Sequence, residues 1–295
     1  MNRIKFLLLS RVKTTKLKIA IAGIISFFII KLLRTEEMQI LRNNIRYSAD
    51  LTEGIDFSIF LLGNFQKYVV QNKLFSIPKN AIIFDVGANF GFMSLQFSKA
   101  VPYGHVYAIE PTHYAFKRLK KNLRLNPNLS NRITAVQAFF SDKNQKKHEM
   151  KAFSSWKVYG KNDKREIHPI HSGAMKSTEG VEAIRLDNFC KSANIEKVDF
   201  IKIDTDGNEH EVLIGAEKII AKNRPVVIFE IGNYLLEEKK IKFNYFLEYF
   251  YKYNYSLFDA ASGINLTEEN FSNIIPKFST IDIIALPNKD YKKTN

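Results

Sequence analysis

Cysteine is almost absent: Cys190 is the single one in 295 residues. One cysteine excludes an intrachain disulfide and a cysteine-built zinc site, and it fits a reducing compartment. Cys190 precedes Lys191 in a polar stretch without the histidine and asparagine pattern of a thiol nucleophile, so an ordinary helix cysteine is expected. Acids are missing from the N-terminus, where Arg3, Lys5, Arg11, Lys13, Lys16, Lys18, Lys31 and Arg34 all precede Glu36. The formal net charge of +14 falls to +6 once those eight are set aside, which is no argument for a nucleic-acid groove, and no RNA-binding motif is present. A long hydrophobic run is lacking too. The uncharged centre at residues 19–30 rises about 18 Å as a helix, against about 30 Å of bilayer hydrocarbon. Snorkelling by Lys18 and Lys31 would add the flanking leucines. No small-residue cleavage site follows, so a membrane anchor over residues 17–33 is expected ahead of a removed signal peptide or a packed helix. That reading makes the protein membrane-associated, with the remainder on the cytoplasmic side. No internal repeat is visible.

Glycines of the dinucleotide fingerprint are missing as well. The run Ile82-Ile83-Phe84-Asp85-Val86-Gly87-Ala88-Asn89-Phe90-Gly91 reads as a buried parallel strand ending in a small-residue turn, but Asn89 and Phe92 stand where G-x-G-x-x-G needs glycine. A nicotinamide cofactor is therefore the weaker reading. Helical spacing resumes through Phe92, Leu95 and Phe97, so the turn opens a helix whose amides face a ligand. The next strand, 104–110, ends in Glu110 about 20 positions past the loop, where a carboxylate accepts ribose hydroxyls.

Four stretches together resemble the FkbM-type methyltransferases, S-adenosylmethionine-dependent enzymes of the class I Rossmann-like fold. They are Asp85-Val86-Gly87-Ala88-Asn89-Phe90-Gly91 with Ser94, Ile109-Glu110-Pro111, Lys202-Ile203-Asp204-Thr205-Asp206-Gly207-Asn208-Glu209, and Ile228-Phe229-Glu230. The family usually carries Glu where Asp206 stands, which keeps the carboxylate and shortens its reach. The resemblance implies an α/β fold with a doubly wound, mostly parallel seven-stranded sheet. It also implies S-adenosylmethionine at Asp85, Gly87, Ala88, Asn89, Gly91, Glu110 and Asp142, and O-methylation of a small-molecule or glycan acceptor.

The remaining chain is assigned around this unit. Residues 1–35 form the basic, apolar N-terminal segment. Residues 36–80 are a helical extension, dense in apolar residues over 36–76, that lies beside the sheet; 81–288 are the methyltransferase domain; 289–295 are a polar tail. A third strand is expected at 133–140, then an irregular insert at 143–182 with His168, His171 and Trp156, read as one or two hairpins over the acceptor. Asp142, after the third strand, either contacts adenine, as the resemblance implies, or makes a plain Asx turn. Asp187 is read as a helix N-cap. Further strands are expected at 198–203 and 226–231, an aromatic helix at 243–253, and a closing antiparallel pair at 255–258 and 281–286.

Asp85, Glu110, Asp142, Asp204, Asp206 and Glu230 fall at the carboxyl ends of successive strands, which converge on one crevice in an open parallel sheet. An alcohol acceptor needs a base to take its proton, and Asp204, Asp206, His210 and Glu230 are the candidates. Asp204-Thr205-Asp206 is equally a D-x-D triplet of the kind that holds a divalent metal in glycosyltransferases. A membrane-tethered binding module without turnover would share the same loops.

Overall fold

The computed structural model describes residues 15–145, 152–158, 173–275 and 279–288, with side chains described throughout except at 15–21, 152–156 and 173–174. His168, His171 and the tail at 289–295 lie outside the described residues, as does the side chain of Trp156.

Helix α1, Thr15–Leu33, is followed by strands β1, Glu37–Arg42, and β2, Ile45–Asp50, paired antiparallel. This hairpin replaces the helix expected over 36–76. Asn43 and Asn44, at φ 51° and 60°, form the two-residue left-handed turn that matches strand twist. Ile45, Tyr47 and Ala49 alternate into the core, a period of two that the density of apolar residues concealed. Only then does helix α2, Gly54–Leu62, begin; a helical turn, Lys67–Val70, and coil lead to β3, Ile82–Val86. The hairpin packs in the same apolar cluster as the sheet, so it is part of one core rather than an appendage.

The Rossmann-like unit runs through α3, Phe92–Ala100, β4, His105–Ile109, α4, His113–Arg124, and β5, Ile133–Val136. The expected 133–140 strand breaks at Gln137. Its end becomes β6, Phe139–Phe140, which leaves the main sheet to pair with β9, Ala183–Ile184. Between them, β7, Ala152–Trp156, and β8, Gly173–Lys176, form an irregular antiparallel hairpin. The chain then returns through α5, Leu186–Ser192, β10, Phe200–Ile203, α6, Glu209–Gly215, α7, Glu217–Asn223, β11, Val226–Gly232, α8, Asn233–Lys239, α9, Asn244–Lys252, β12, Tyr255–Asp259, and β13, Thr280–Pro287.

The central sheet has seven strands in the order β12-β13-β11-β10-β3-β4-β5, with β13 antiparallel to both neighbours and the remaining pairs parallel. The fold class that the resemblance implies is the one observed. Alternation sorts side chains onto two faces: Phe84, Ile203 and Phe229 pack with α6 and α9 on one, while Ile83, Phe200 and Ile228 meet α3 and the β1–β2 hairpin on the other. Asp85, Lys202 and Glu230 belong by alternation to the second face.

Two further sequence readings are corrected. Among the described residues no helix is long and apolar enough to cross a membrane, which overturns the anchor expected at 17–33 and the location drawn from it. Twelve uncharged residues are too few, and α1 is tied to the domain. A Cβ at Gly23 would stand 2.6 Å from the Val158 carbonyl oxygen, and the buried Ser26 hydroxyl donates to the Leu51 carbonyl at 2.8 Å. Asp187 does not cap its own helix either. It lies in the first turn of α5 and accepts from the backbone N–H of Lys218 (3.1 Å) and Ile219 (3.0 Å), capping α7 instead.

Candidate active site

The order of connections reverses at β3: the chain moves outward through β4 and β5, then returns to the opposite side of β3 with β10. Ligands in open α/β sheets bind at such a switch point, beyond the strands' carboxyl ends. The loops after β3 and β10 touch there. Gly87 has φ 80°, and a Cβ on it would lie 1.7 Å from the Asp204 carbonyl oxygen. Glycine at this position is thus demanded by the facing protein backbone before any ligand is considered.

A cleft of about 210 Å³ opens at this point. Gly87, Ala88, Asn89, Glu110, Asp204, Asp206 and Glu230, all proposed from the sequence, line it. Asp85 lies beneath, fully buried. Its Oδ2 accepts the Ser94 hydroxyl at 2.5 Å, and its Oδ1 has no hydrogen-bond partner but lies 3.9 Å from Lys202 Nζ. Gly91 stands behind the loop as the left-handed N-cap of α3, φ 87°. Two candidates are not brought in. Asp142 is absent from the lining; it accepts from Ser141 Oγ at 3.1 Å and lies 3.7 Å from Lys143, while its backbone carbonyl accepts from Arg185. His210 faces a smaller recess between α6 and α8, with Nε2 3.9 Å from Glu211. Burial holds its pKa below the ordinary histidine value.

Glu110 organises one end of the cleft. Its Oε1 accepts from the Thr112 N–H (2.9 Å) and hydroxyl (2.6 Å), and its Oε2 from the Asn89 N–H (2.9 Å). A carboxylate offers about four acceptor sites, so Oε2 has room to accept a second hydrogen bond. The same carboxylate holds Asn89 in its left-handed conformation, φ 49°, so it builds the loop as well as the site.

Across the cleft, Lys202 is the sole cationic side chain among the described lining residues. Its ammonium is 2.9 Å from Asp204 Oδ2. Burial alone would lower its pKa, but Asp204 and Asp85 reverse the sign and keep it charged. Asp206, at φ 52°, presents its carboxyl beside Asp204; burial and then the Asp204 and Glu209 charges push its pKa well above the ordinary range. Glu209 clamps this turn, accepting from the Thr205 N–H (2.9 Å), the Thr205 hydroxyl (3.0 Å) and the Gly207 N–H (3.3 Å). Strained non-glycine backbone at Asn89 and Asp206 falls on the two loops that meet at the switch point, where such strain characteristically gathers.

The other end of the cleft contains residues that were not singled out individually from the sequence. Phe65, Gln66, Tyr234 and Thr280 line it, and Tyr68 and Asp282 stand behind. Asp282 carried a legible signal, an acid inside the otherwise apolar strand Ile281-Asp282-Ile283-Ile284. Gln66 and Tyr68 carried none, because only folding brings the turn at 67–70 against β13. The D-x-D metal reading finds no support in the geometry. Asp204 is ion-paired to Lys202, and among the described residues no three histidine, cysteine or acidic side chains are grouped to hold a metal.

Comparison with known proteins fits this arrangement. The sequence model of the methyltransferase FkbM domain matches residues 85–257. The chain is 24% identical over 202 residues to the methyltransferase sdnD of Sordaria araneosa, covering 58% of this chain and 77% of that protein. It is 25% identical over 150 residues to the 2-O-methyltransferase NoeI of Sinorhizobium fredii, covering 48% of this chain and 60% of that protein. A crystal structure of a methyltransferase FkbM from Methylobacillus flagellatus superposes with a TM-score of 0.46 at 16% identity, covering 77% of this chain and 52% of that one. With the family model spanning more than half of the sequence and its key loops converging on one cleft, the chain belongs to the FkbM family of S-adenosylmethionine-dependent methyltransferases.

Proposed function

We propose that this protein methylates a hydroxyl group of a small-molecule or glycan acceptor. The observation that carries the reading is the two-ended cleft: a glycine-turn and carboxylate cradle at Gly87, Asn89 and Glu110 opens directly onto a row of carboxyls at Asp204, Asp206 and Glu230. The residues fit the cofactor. The backbone at 87–89 would lie against it, and the free lone pair of Glu110 Oε2 would take a ribose hydroxyl. Bound there, S-adenosylmethionine supplies an electrophilic methyl group on a cationic sulfur.

The protein's own work is then positioning and proton transfer. Phe65, Ile55 and Tyr234 give the acceptor an apolar wall that excludes water, while Glu230, whose Oε1 accepts the Thr280 hydroxyl at 2.6 Å, faces the cleft as proton acceptor. Asp204 is committed to Lys202, so it serves to hold the loop. Asp206 is the second candidate base. Asp142 and His210 take no part in this reading, since neither lines the cleft. NoeI is a 2-O-methyltransferase by name, which supports a hydroxyl acceptor.

Titration calorimetry with S-adenosylmethionine, followed by mass-shift screening of glycan and small-molecule hydroxyl acceptors, tests the reading. Saturable binding and an acceptor gaining one methyl are expected. In Glu230→Gln, kcat should fall about 10²–10⁴-fold with cofactor affinity kept. Absence of binding by a folded protein would overturn the assignment.

A further inference from the structure

Glu230 does not stand alone. The antiparallel register of β11 and β13 sets it directly opposite Asp282, and directly opposed residues share a face of the sheet. Asp204 follows Ile203, the partner of Phe229, and so comes level with both in the adjoining strand. Three carboxyls therefore form a lateral row, of which Asp204 and Glu230 line the cleft and Asp282 stands behind it. Asp282 is 5% exposed, and its Oδ2 accepts the Tyr68 hydroxyl at 2.5 Å and the Gln66 amide at 3.2 Å. The charged and titratable groups acting on Glu230 are Asp282 from β13, Asp204 and Asp206 from the loop after β10, Tyr68 from the turn at 67–70 and Tyr234 from α8. Lys202, the cation of this end, is already engaged by Asp204.

Neighbouring buried carboxyls of like charge do not both ionise freely, and they titrate as a pair. Two donors hold Asp282 in its anionic form, whereas Glu230 accepts one, from Thr280. The resting proton therefore belongs on Glu230. We propose that Glu230 and Asp282 share one proton in the resting protein and expel it when the cationic cofactor binds, so that Glu230 is made ready to accept the acceptor's proton only once S-adenosylmethionine is in place.

The proposal rests on the cofactor reading above. A positive sulfur brought into a cleft with surplus carboxylate favours the ionised pair, and the proton leaves to solvent. Methyl transfer removes that positive charge, since the C–S bond breaks with its electron pair remaining on a neutral thioether. The affinity of Glu230 for a proton then rises as the acceptor oxygen, gaining the methyl, gives its proton up. Burial, with Asp204 and Asp282 next, already places the Glu230 pKa well above the ordinary carboxylate value, and burial with Asp204 brings Asp282 to about 6. Asp282 is a positioning residue in this scheme, since it acts through Glu230.

Calorimetry of S-adenosylmethionine binding in buffers of differing ionisation enthalpy at neutral pH counts the proton without needing an acceptor. Release of about one proton per site is expected for wild type, by linkage, and none for S-adenosylhomocysteine, whose sulfur is neutral. Glu230→Gln should bind with no release. Asp282→Asn should move the release to lower pH, because Glu230 loses its negative neighbour, and Asp206→Asn should leave a release in place. S-adenosylhomocysteine binding and a cooperative melt in each variant report folding. Binding heat that does not depend on buffer, release that survives in Glu230→Gln, or release lost only in Asp206→Asn overturns the proposal while leaving the cofactor reading intact. Absence of any binding heat overturns both.

Discussion

At the residue scale, the site is held by groups whose partners are buried with them. Lys202 sits between Asp85 and Asp204 with 3% of its side chain exposed, so Lys202→Met would leave two carboxylates without their cation. Breaking a buried pair from one side costs about 3–5 kcal/mol, and urea denaturation should show a loss of that size. Gly87→Ala is expected to fail for a related reason. Its Cβ would overlap the Asp204 carbonyl, so the melting temperature should drop together with cofactor binding, and a variant that melts like wild type would refute the contact. Glu110→Ala removes acceptors from Asn89 and Thr112 as well as the one proposed for the ligand. Cofactor binding should weaken by about 1.5–3 kcal/mol by calorimetry, the scale of hydrogen bonds to a charged group. That Gly87, Asn89 and Glu110 converge on one cleft was legible because a strand end carries a short local pattern. Gln66 had no such pattern, because it meets Asp282, 216 positions away, only through folding, whereas Asp282 stood out as an acid in an apolar strand and was passed over.

Among elements, strands were read more easily than their surroundings. Runs such as Ile82-Ile83-Phe84 and Val226-Val227-Ile228-Phe229 are apolar on both faces, the mark of central parallel strands, and each was placed close to its observed bounds. The β1–β2 hairpin was misread as helix because its turn, Asn43-Asn44, lacks the glycine of the commonest two-residue turn and because apolar density outweighed period. Asp187 illustrates a cap that sequence assigns to the wrong helix. A carboxylate beside a helix start suits its own N-terminus by spacing, yet the tertiary packing of α5 on α7 gives it two orphan N–H groups of another. Asp187→Ala should therefore destabilise the protein by about 0.5–2 kcal/mol without altering cofactor affinity, as thermal melts and calorimetry would show.

For the whole molecule, buried acids set the pH response. Burial raises Asp282 to about 6 from 3.8, and Asp56 likewise to about 6 despite its contact with Arg118. Each binds its proton more tightly folded than unfolded, so its contribution favours the fold below the unfolded value and is lost as pH rises through about 4 to 6. Asp85, Glu110, Asp206, Glu209 and Glu230, all raised by burial first, carry the same sign. The ligand-free protein should melt lower at pH 8 than at about pH 5. A net charge of +14, and His105 and His210, whose pKa values burial lowers, work in the opposite direction, so a lower melt at pH 8 means that the buried acids outweigh both. From the sequence alone came the parallel sheet, the glycine loop that lines the cleft and the family, because strand hydrophobicity and loop chemistry are written in consecutive residues. Only the tertiary structure decided that α1 is tied to the domain, that Asp142 and His210 stand outside the cleft, and that Asp282 and Tyr68 back Glu230. Those outcomes depend on strand register and on which faces are buried together, and neither is a property of any local stretch of chain.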